Sequence, residues 1–135
     1  MTTLTPVIVI CLTLCAEGRD QGEAGMRRIA SVIWCSAETH TGVDMAAECL
    51  QRNRYSCWNK TQPSVALMHQ FTSNTADAQM YGIAMRIARE MVRNKFAPVI
   101  EATHYARTDC QKAWMSRMRI VETFRDHVFY RVQVS

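Results

Sequence analysis

Apolar residues recur at helical spacing through the first part of the chain. Between residues 4 and 15 they return every three or four positions, and further apolar residues make the segment hydrophobic nearly all round. A helix with that pattern lies in the middle of a core. A second stripe predicts a helix over about 23–34, with Arg27 and Arg28 on its outer side. Residues 43–50 predict a third, short helix.

The clearest stripe lies in the middle of the chain, over residues 76–92. Asn74 can cap this helix, and Asp77 suits its first turn. Residues 51–63 are polar and aromatic and predict a loop. One or two helical turns are expected over 64–71.

After Ala113 the apolar spacing changes to strict alternation. Residues 118–124 and 128–134 alternate on either side of Arg125-Asp126, which predicts a β-hairpin. Met118, Ile120 and Phe124 would share one face, opposite Val121. We therefore expect an α+β fold, mostly helical, with a small C-terminal hairpin, and one domain over residues 1–135.

The net charge indicates which classes of binding partner are compatible with the chain. Sixteen Lys and Arg against twelve Asp and Glu give a net charge of +4, which suits nucleic acid, an anionic membrane or an acidic polymer such as a cell wall. No long basic run is present, so we expect no nucleic-acid binding. The apolar run over 6–15 is too short to span a bilayer, and no basic residue precedes it. We expect no stable membrane insertion and no signal peptide.

The six cysteines do not form a recognisable framework. No C-x-x-C is present, and most of the cysteines lie within apolar runs, which favours buried free thiols over disulfides. No cysteine or histidine pair has zinc-site spacing. We therefore predict neither a metal site nor a cofactor.

Glu17 is a candidate general acid. It follows a nearly all-apolar helix, so its carboxyl would lie at the edge of the core, where partial desolvation raises the pKa. A carboxyl that keeps its proton near neutrality can protonate a leaving group. The alternative is a solvated glutamate at a fraying helix end.

The first of two later clusters suits sugar recognition. Tyr55 and Ser56 lie in the polar loop, where aromatic rings can pack on pyranose faces while hydroxyl groups fix orientation. Tyr55 could equally anchor the loop in the core. The second cluster contains Thr103, His104 and Tyr105. Neighbouring side chains in an extended segment point to opposite sides, so we expect one of His104 and Tyr105 to face a cleft and the other to face the body of the domain.

The motifs follow one another in a familiar order. They are Glu17-Gly18-Arg19-Asp20-Gln21, Tyr55-Ser56-Cys57-Trp58, Ala102-Thr103-His104-Tyr105, Trp114 and His127-Val128-Phe129-Tyr130-Arg131. Over roughly residues 10–132 the chain resembles the cell wall hydrolases of the spore-cortex-lytic (SleB/CwlJ) type. One departure is Gln21, which stands where that pattern has a second glutamate.

The resemblance implies a lysozyme-like domain related to the lytic transglycosylases, with Glu17 as the catalytic acid. Its sugar cleft would be lined by Tyr55, Ser56, Thr103, His104, Tyr105 and Tyr130. We expect Tyr105 to face the sugar, with its hydroxyl near the acetamido group, and His104 to hold the loop by hydrogen bonds. The expected substrate is the glycan strand of peptidoglycan, cut between N-acetylmuramic acid and N-acetylglucosamine. We expect a lytic transglycosylase, in which Glu17 alone acts as acid and base and the product is a 1,6-anhydro sugar.

Alternatives to this reaction stay open. They are a hydrolytic muramidase in which Asp20 or Glu23 places a water, an amidase or endopeptidase acting on the stem peptide, and an inactive wall-binding module. The setting we expect is a monomeric phage lysin. It would be made in the host cytoplasm and would act on the wall or periplasm, or be carried in a virion.

Overall fold

The computed structural model describes residues 4–51, 54–59 and 63–133. Five α-helices and three β-strands lie within these residues. They are α1 (Pro6–Gly18), α2 (Gly22–Ser36), α3 (Gly42–Leu50), α4 (Pro63–Thr72), α5 (Thr75–Val92), β1 (His104–Arg107), β2 (Met118–Phe124) and β3 (His127–Val132). Short 3₁₀ turns occur at Ser56–Trp58 and Ala113–Arg117. The predicted α+β class, mostly helical, is confirmed.

Helix α1 is the central element of the core, as its apolar pattern predicts. The Thr5 side chain caps it by accepting a backbone amide of the first turn at 3.4 Å. Every residue from 9 to 15 is buried, and α1 packs against the other four helices. The buried Thr13 hydroxyl donates to the Val9 carbonyl at 2.8 Å and accepts the Trp58 indole N–H at 2.7 Å. The loop that carries Trp58 is therefore fixed to α1.

Helices α2 and α5 pack beside α1 through the predicted stripes. The buried side chains of these stripes include Met26, Ile29, Ala30 and Ile33 in α2, and Ala84, Ile87, Ala88 and Met91 in α5. Asn74 caps α5 by accepting the Asp77 amide at 2.9 Å, as predicted. On the outer side, Arg27 holds both carboxylate oxygens of Glu90 at 3.0 Å and so joins α2 to α5.

The sheet is antiparallel, in the order β1-β3-β2. The hairpin of β2 and β3 is confirmed. The sequence predicted only an extended segment around His104, whereas the structure makes it a strand that pairs with β3, with His104 opposite Tyr130 and Arg107 opposite His127. β1 is an edge strand, and all four of its residues border the open space between the sheet and the helices.

The predicted face of β2 is wrong at two positions. Ile120 is 61% exposed, whereas Val121 packs against the core. The pairing with β3 shifts between Ile120 and Glu122. Such a bulge leaves one extra residue unpaired and turns the following side chains to the other face of the sheet. Strict alternation cannot reveal that shift.

All six cysteines are free thiols in the structure. Burial raises the pKa of Cys49 and of Cys57 to about 12 in each case. The pKa of Cys15 is raised too, first by its hydrogen bond with Cys11 and then by burial. These thiols therefore stay protonated at neutral pH, as apolar packing groups do.

Gln21 connects the start of α2 to the turn of the hairpin. It is 1% exposed. Its amide nitrogen donates to an Asp126 carboxylate oxygen at 3.1 Å, and its amide oxygen accepts the Asp126 backbone N–H at 3.4 Å. Arg125 donates to the Gln21 carbonyl at 2.9 Å. A neutral amide suits this place because it can donate to a carboxylate and accept from the backbone at once.

We expect Gln21→Glu to destabilise the fold at neutral pH by about 1–3 kcal/mol, since a buried carboxylate would face the Asp126 carboxylate in place of the amide that now donates to it. Burial and Asp126 would both raise the pKa of the new carboxyl in the folded state. The loss should therefore be full at pH 7 and should disappear as the pH falls below about 4. Thermal unfolding across this range tests it. Gln79→Glu, at an exposed position of α5, is the matched control, and equal melting temperatures for the two variants at pH 7 would contradict the prediction.

Candidate active site

A cleft of about 780 Å³ separates the helices from the sheet. Its helical wall contains the end of α1 and the loop before the first 3₁₀ turn. Its other wall contains β1, the start of β3 and the segment after β1. The lining residues are Ala16, Glu17, Asp20, Arg54, Tyr55, Ser56, His104, Tyr105, Ala106, Arg107, Cys110, Lys112, Trp114 and His127.

Glu17 lies in the last turn of α1, with its carboxyl in this cleft and largely enclosed. The Tyr105 hydroxyl donates to Glu17 Oε1. Burial raises the pKa of Glu17, and the smaller effect of the Tyr105 hydrogen bond lowers it. The net direction is upward, so the carboxyl keeps its proton closer to neutrality than an exposed glutamate does. The alternative of a solvated glutamate at a frayed helix end is not what the structure contains.

Tyr105 is held by rings on several sides. Its ring centroid lies 5.1 Å from that of His127, 5.7 Å from that of Phe129 and 6.4 Å from that of Tyr55. Burial raises the pKa of Tyr105 well above its usual value, with the Glu17 charge next in importance. The phenol is therefore a neutral donor at physiological pH, with a fixed direction toward Glu17.

Tyr55 forms the floor of the cleft on the helical side. It is 2% exposed, and its hydroxyl finds no acceptor among the described residues. Burial raises the pKa of this phenol too. Tyr55 thus combines both sequence interpretations, since it anchors the loop in the core and still borders the cleft. Ser56 follows it in the lining as the first residue of the 3₁₀ turn.

Arg54 ties the two walls together. Its guanidinium donates to the Thr103 carbonyl at 2.6 Å and to Ser36 Oγ at 3.2 Å. Its Nε lies 3.5 Å from a Glu48 carboxylate oxygen. The loop that carries Tyr55 is thereby fixed to the residue that precedes β1. Sequence reasoning included Arg54 in the polar loop but gave it no role.

Of the remaining predicted residues, one lines the cleft and two contact lining residues. His104 lines the cleft, with its ring 5.3 Å from that of Trp114 and its Nδ1 3.0 Å from Thr103 Oγ1. Thr103 and Tyr130 are not in the lining. Tyr130 instead packs edge-on against Trp114 at 5.3 Å, and its carbonyl accepts the Thr103 amide at 2.9 Å.

One expectation about β1 is wrong. Its first two side chains were expected to divide between the cleft and the body of the domain, yet both His104 and Tyr105 line the cleft. The Tyr105 hydroxyl, which was expected to face the sugar's acetamido group, donates to Glu17 instead.

A family model described as cell wall hydrolase matches residues 20–130, which is most of the chain. The chain belongs to the cell wall hydrolase family. Its substrate is accordingly peptidoglycan, and the chain is a peptidoglycan-degrading enzyme. No curated protein and no solved structure matches it. The matched range begins three residues after Glu17, so the choice of acid rests on the geometry given above.

Two other carboxylates of the hydrolase were candidates for placing a water. Asp20 lines the cleft and is exposed. Glu23 does not line it. Its carboxylate is held by Arg27 at 3.0 Å and by Arg86 at 2.7 Å, and the Arg27 hydrogen bond is the main cause that lowers its pKa. Glu23 therefore belongs to the ion pairs on the outer side of α2, and of the two only Asp20 lies in the cleft.

Sequence reasoning gave no site role to several lining residues of the hydrolase. Trp114 and His127 could have been assigned to the site from the sequence, because both belong to the quoted motifs. Burial lowers the pKa of His127, whose ring packs edge-on against Tyr105. Arg107, Cys110 and Lys112 carry no such signal. Among the described residues no group of three or more histidine, cysteine or acidic side chains could hold a metal ion, and no helix is long and apolar enough to cross a membrane.

Proposed function

We propose that this hydrolase is a lytic transglycosylase that cleaves the bond between N-acetylmuramic acid and N-acetylglucosamine, with Glu17 as its single acid and base. The observation that carries the proposal is the enclosed Glu17 carboxyl, with its raised pKa and its fixed Tyr105 donor, in the cleft. A group of this kind can both give and take a proton near neutral pH.

The reaction needs two proton transfers. Protonated Glu17 gives its proton to the glycosidic oxygen as the bond to C1 of the muramic acid breaks. The 2-acetamido oxygen stabilises the cationic centre. The Glu17 carboxylate then takes the proton of the C6 hydroxyl, whose oxygen bonds to C1. The product is a 1,6-anhydro sugar, no water is consumed, and Glu17 returns to its protonated form.

Substrate positioning is assigned to the aromatic and polar lining. Tyr55, Ser56 and His104 border the cleft next to the reacting pair, and Trp114 adds a large ring beside His104. Flat rings and short polar groups are the side chains with which proteins bind sugars. Thr103 and Tyr130, predicted as contacts, take supporting roles through His104 and Trp114. The lysozyme-like ancestry and the phage setting stay predictions.

A hydrolytic muramidase is the second candidate, and Asp20 is the observation that favours it. Glycosidases that use water need a second carboxylate near the cleaved bond. Asp20 lies three residues after Glu17 and borders the same cleft. In that case Asp20 would orient a water onto C1 in the step where the transglycosylase uses the C6 hydroxyl.

Product masses decide between these reactions. Purified sacculi are digested to completion, and the soluble fragments are analysed by mass spectrometry before and after borohydride reduction. We expect muramic acid ends that are lighter by one water and resist reduction. Reducible ends would establish the muramidase, new amino groups would establish an amidase or peptidase, and an unchanged turbidity of the suspension would indicate a binding module.

We also expect lysis to be independent of metal. Protein treated with EDTA and then desalted should keep its melting temperature and its rate of wall lysis, because proton transfer at Glu17 needs no metal ion. The check is a turbidity assay with and without added Zn²⁺, beside a metal analysis of the untreated protein. Stoichiometric zinc, together with loss of lysis on its removal, would favour the amidase or peptidase.

A further inference from the structure

The cleft contains positive charge that the proposed reaction does not use. Burial lowers the pKa of both lining histidines, so His104 and His127 are neutral at pH 7. Arg54 is engaged by Thr103, Ser36 and Glu48. Arg107 and Lys112 are then the lining cations still able to bind an anion.

Neither cation is committed to a strong partner. Lys112 is exposed and forms no ion pair within the described part of the chain. The Arg107 side chain is 59% exposed, and its Nε lies 3.6 Å from a carboxylate oxygen of the exposed Asp109. Exposed pairs of this kind contribute little, at most about 1 kcal/mol, so an incoming carboxylate can replace Asp109.

Both cations line the same cleft as the reacting pair. Arg107 is two residues after Tyr105 in β1, so the two side chains leave the same face of the strand, about 7 Å apart along it. The Cys110 amide donates to the Arg107 carbonyl at 3.0 Å. This turn returns the chain to the cleft, where Lys112 follows. Arg107 and Lys112 thus form a cationic rim beside Glu17 and Tyr105.

The chemistry of the substrate says what such a rim can bind. The intact glycan strand is neutral, since its N-acetyl and hydroxyl groups carry no charge. Its carboxylates belong to the stem peptide, which is attached through the lactyl group of N-acetylmuramic acid. That sugar contributes one side of the bond that Glu17 is proposed to cleave, so its peptide must leave the cleft close to the reacting pair.

We propose that the cationic rim of Arg107 and Lys112 binds the carboxylates of the stem peptide on the muramic acid at the cleaved bond. The proposal rests on the proposed function, because that function places this sugar in the cleft. It makes the hydrolase selective for strands whose peptides are present and carry free carboxylates.

The test removes charge from each partner in turn. The substrates are sacculi of a Gram-negative bacterium, which carry no phosphate-rich wall polymer, either native or with their carboxyl groups converted to methylamides by carbodiimide coupling. The enzymes are the wild type, Lys112→Gln and Arg107→Gln. Lys95→Gln and Arg93→Gln, at exposed positions outside the cleft, are the matched controls. The initial rate of release of soluble fragments at low salt is measured for each combination.

We expect each rim variant to digest native sacculi roughly two- to fivefold more slowly than the wild type, the effect of about one exposed ion pair. Methylamidation should slow the wild type and both controls, and should slow each rim variant less, because each variant keeps only one of the two cations. Equal slowing of a rim variant on both substrates would overturn the proposal, because the side chain would then contact the glycan. Rates equal to those of the controls would overturn it as well.

Two further arms remove the remaining ambiguities. Melting temperatures identify a variant that is slow because it is misfolded, and Lys112→Arg, which keeps the charge, should restore the native rate. A rim effect found only on Gram-positive walls that retain their phosphate polymer would assign the rim to that polymer and overturn the proposal. The rate of release does not depend on which bond is cut, so failure of the transglycosylase assignment appears separately, in the product masses.

Discussion

Glu17→Gln should lower the rate of wall lysis by about two to four orders of magnitude, the usual effect of removing a general acid. Glutamine has nearly the same shape and still offers an oxygen to the Tyr105 hydroxyl, so the local packing is kept. It cannot give a proton to the glycosidic oxygen. Lysis is measured as the fall in turbidity of a sacculus suspension, with Glu38→Gln, at an exposed position outside the cleft, as the matched control.

Glu17→Gln should lower the activity without lowering the stability of the fold. The pKa of Glu17 is raised on folding, so the wild type loses stability as the pH rises from about 4.3, the ordinary glutamate value, through the folded-state pKa. Glutamine does not titrate. Glu17→Gln should therefore melt no lower than the wild type at pH 7. Its melting temperature should rise relative to that of the wild type as the pH rises over this range. If Glu17→Gln kept half of the lytic activity, Glu17 would not be the general acid, and Asp20→Asn would then be examined.

Tyr105→Phe should slow lysis by about tenfold, the effect of about one lost hydrogen bond in the transition state. The phenol donates to Glu17 and stabilises the carboxylate that forms when the proton leaves. Without this donor the pKa of Glu17 rises further, because the Tyr105 hydrogen bond is the influence that lowers it. The fall in rate on the alkaline side should therefore move to higher pH.

Initial rates from pH 5 to 9 measure both effects in one experiment. Tyr81→Phe is the matched control, since Tyr81 lies in α5 outside the cleft. Tyr105→Phe with a tenfold loss but an unchanged pH profile would mean that the hydroxyl acts on the sugar, as the sequence first suggested. Full activity would mean that it acts on neither.

The helices could be predicted because their signals are local. In α5 the cap at Asn74 and the stripe that ends near Met91 lie within one segment, and the pattern needs no distant partner. The four residues of β1 have no such signal. They become a strand because β3 lies beside them, with Tyr105 opposite Phe129. Pairing between separated segments is invisible to a periodicity argument, as is the bulge beside Val121.

In the candidate site, too, some residues could be predicted from the sequence and others could not. Glu17 could be chosen from sequence because it is the first carboxylate after a buried helix. Its hydrogen-bond donor could not be assigned, since Tyr105 lies 88 residues away along the chain. Arg107 and Lys112 belong to a polar segment without any pattern, and the pairing of β1 with β3 brings that segment to the cleft.

The two walls of the cleft are joined at further places besides the Tyr105 contact with Glu17. Gln21 holds Asp126, and Arg54 holds the Thr103 carbonyl. The conformational entropy of bringing helix and sheet together is therefore lost once, during folding, and not at each encounter with a glycan strand. More of the energy gained when the cleft binds sugar rings is then free to distort the ring next to the cleaved bond toward its transition state.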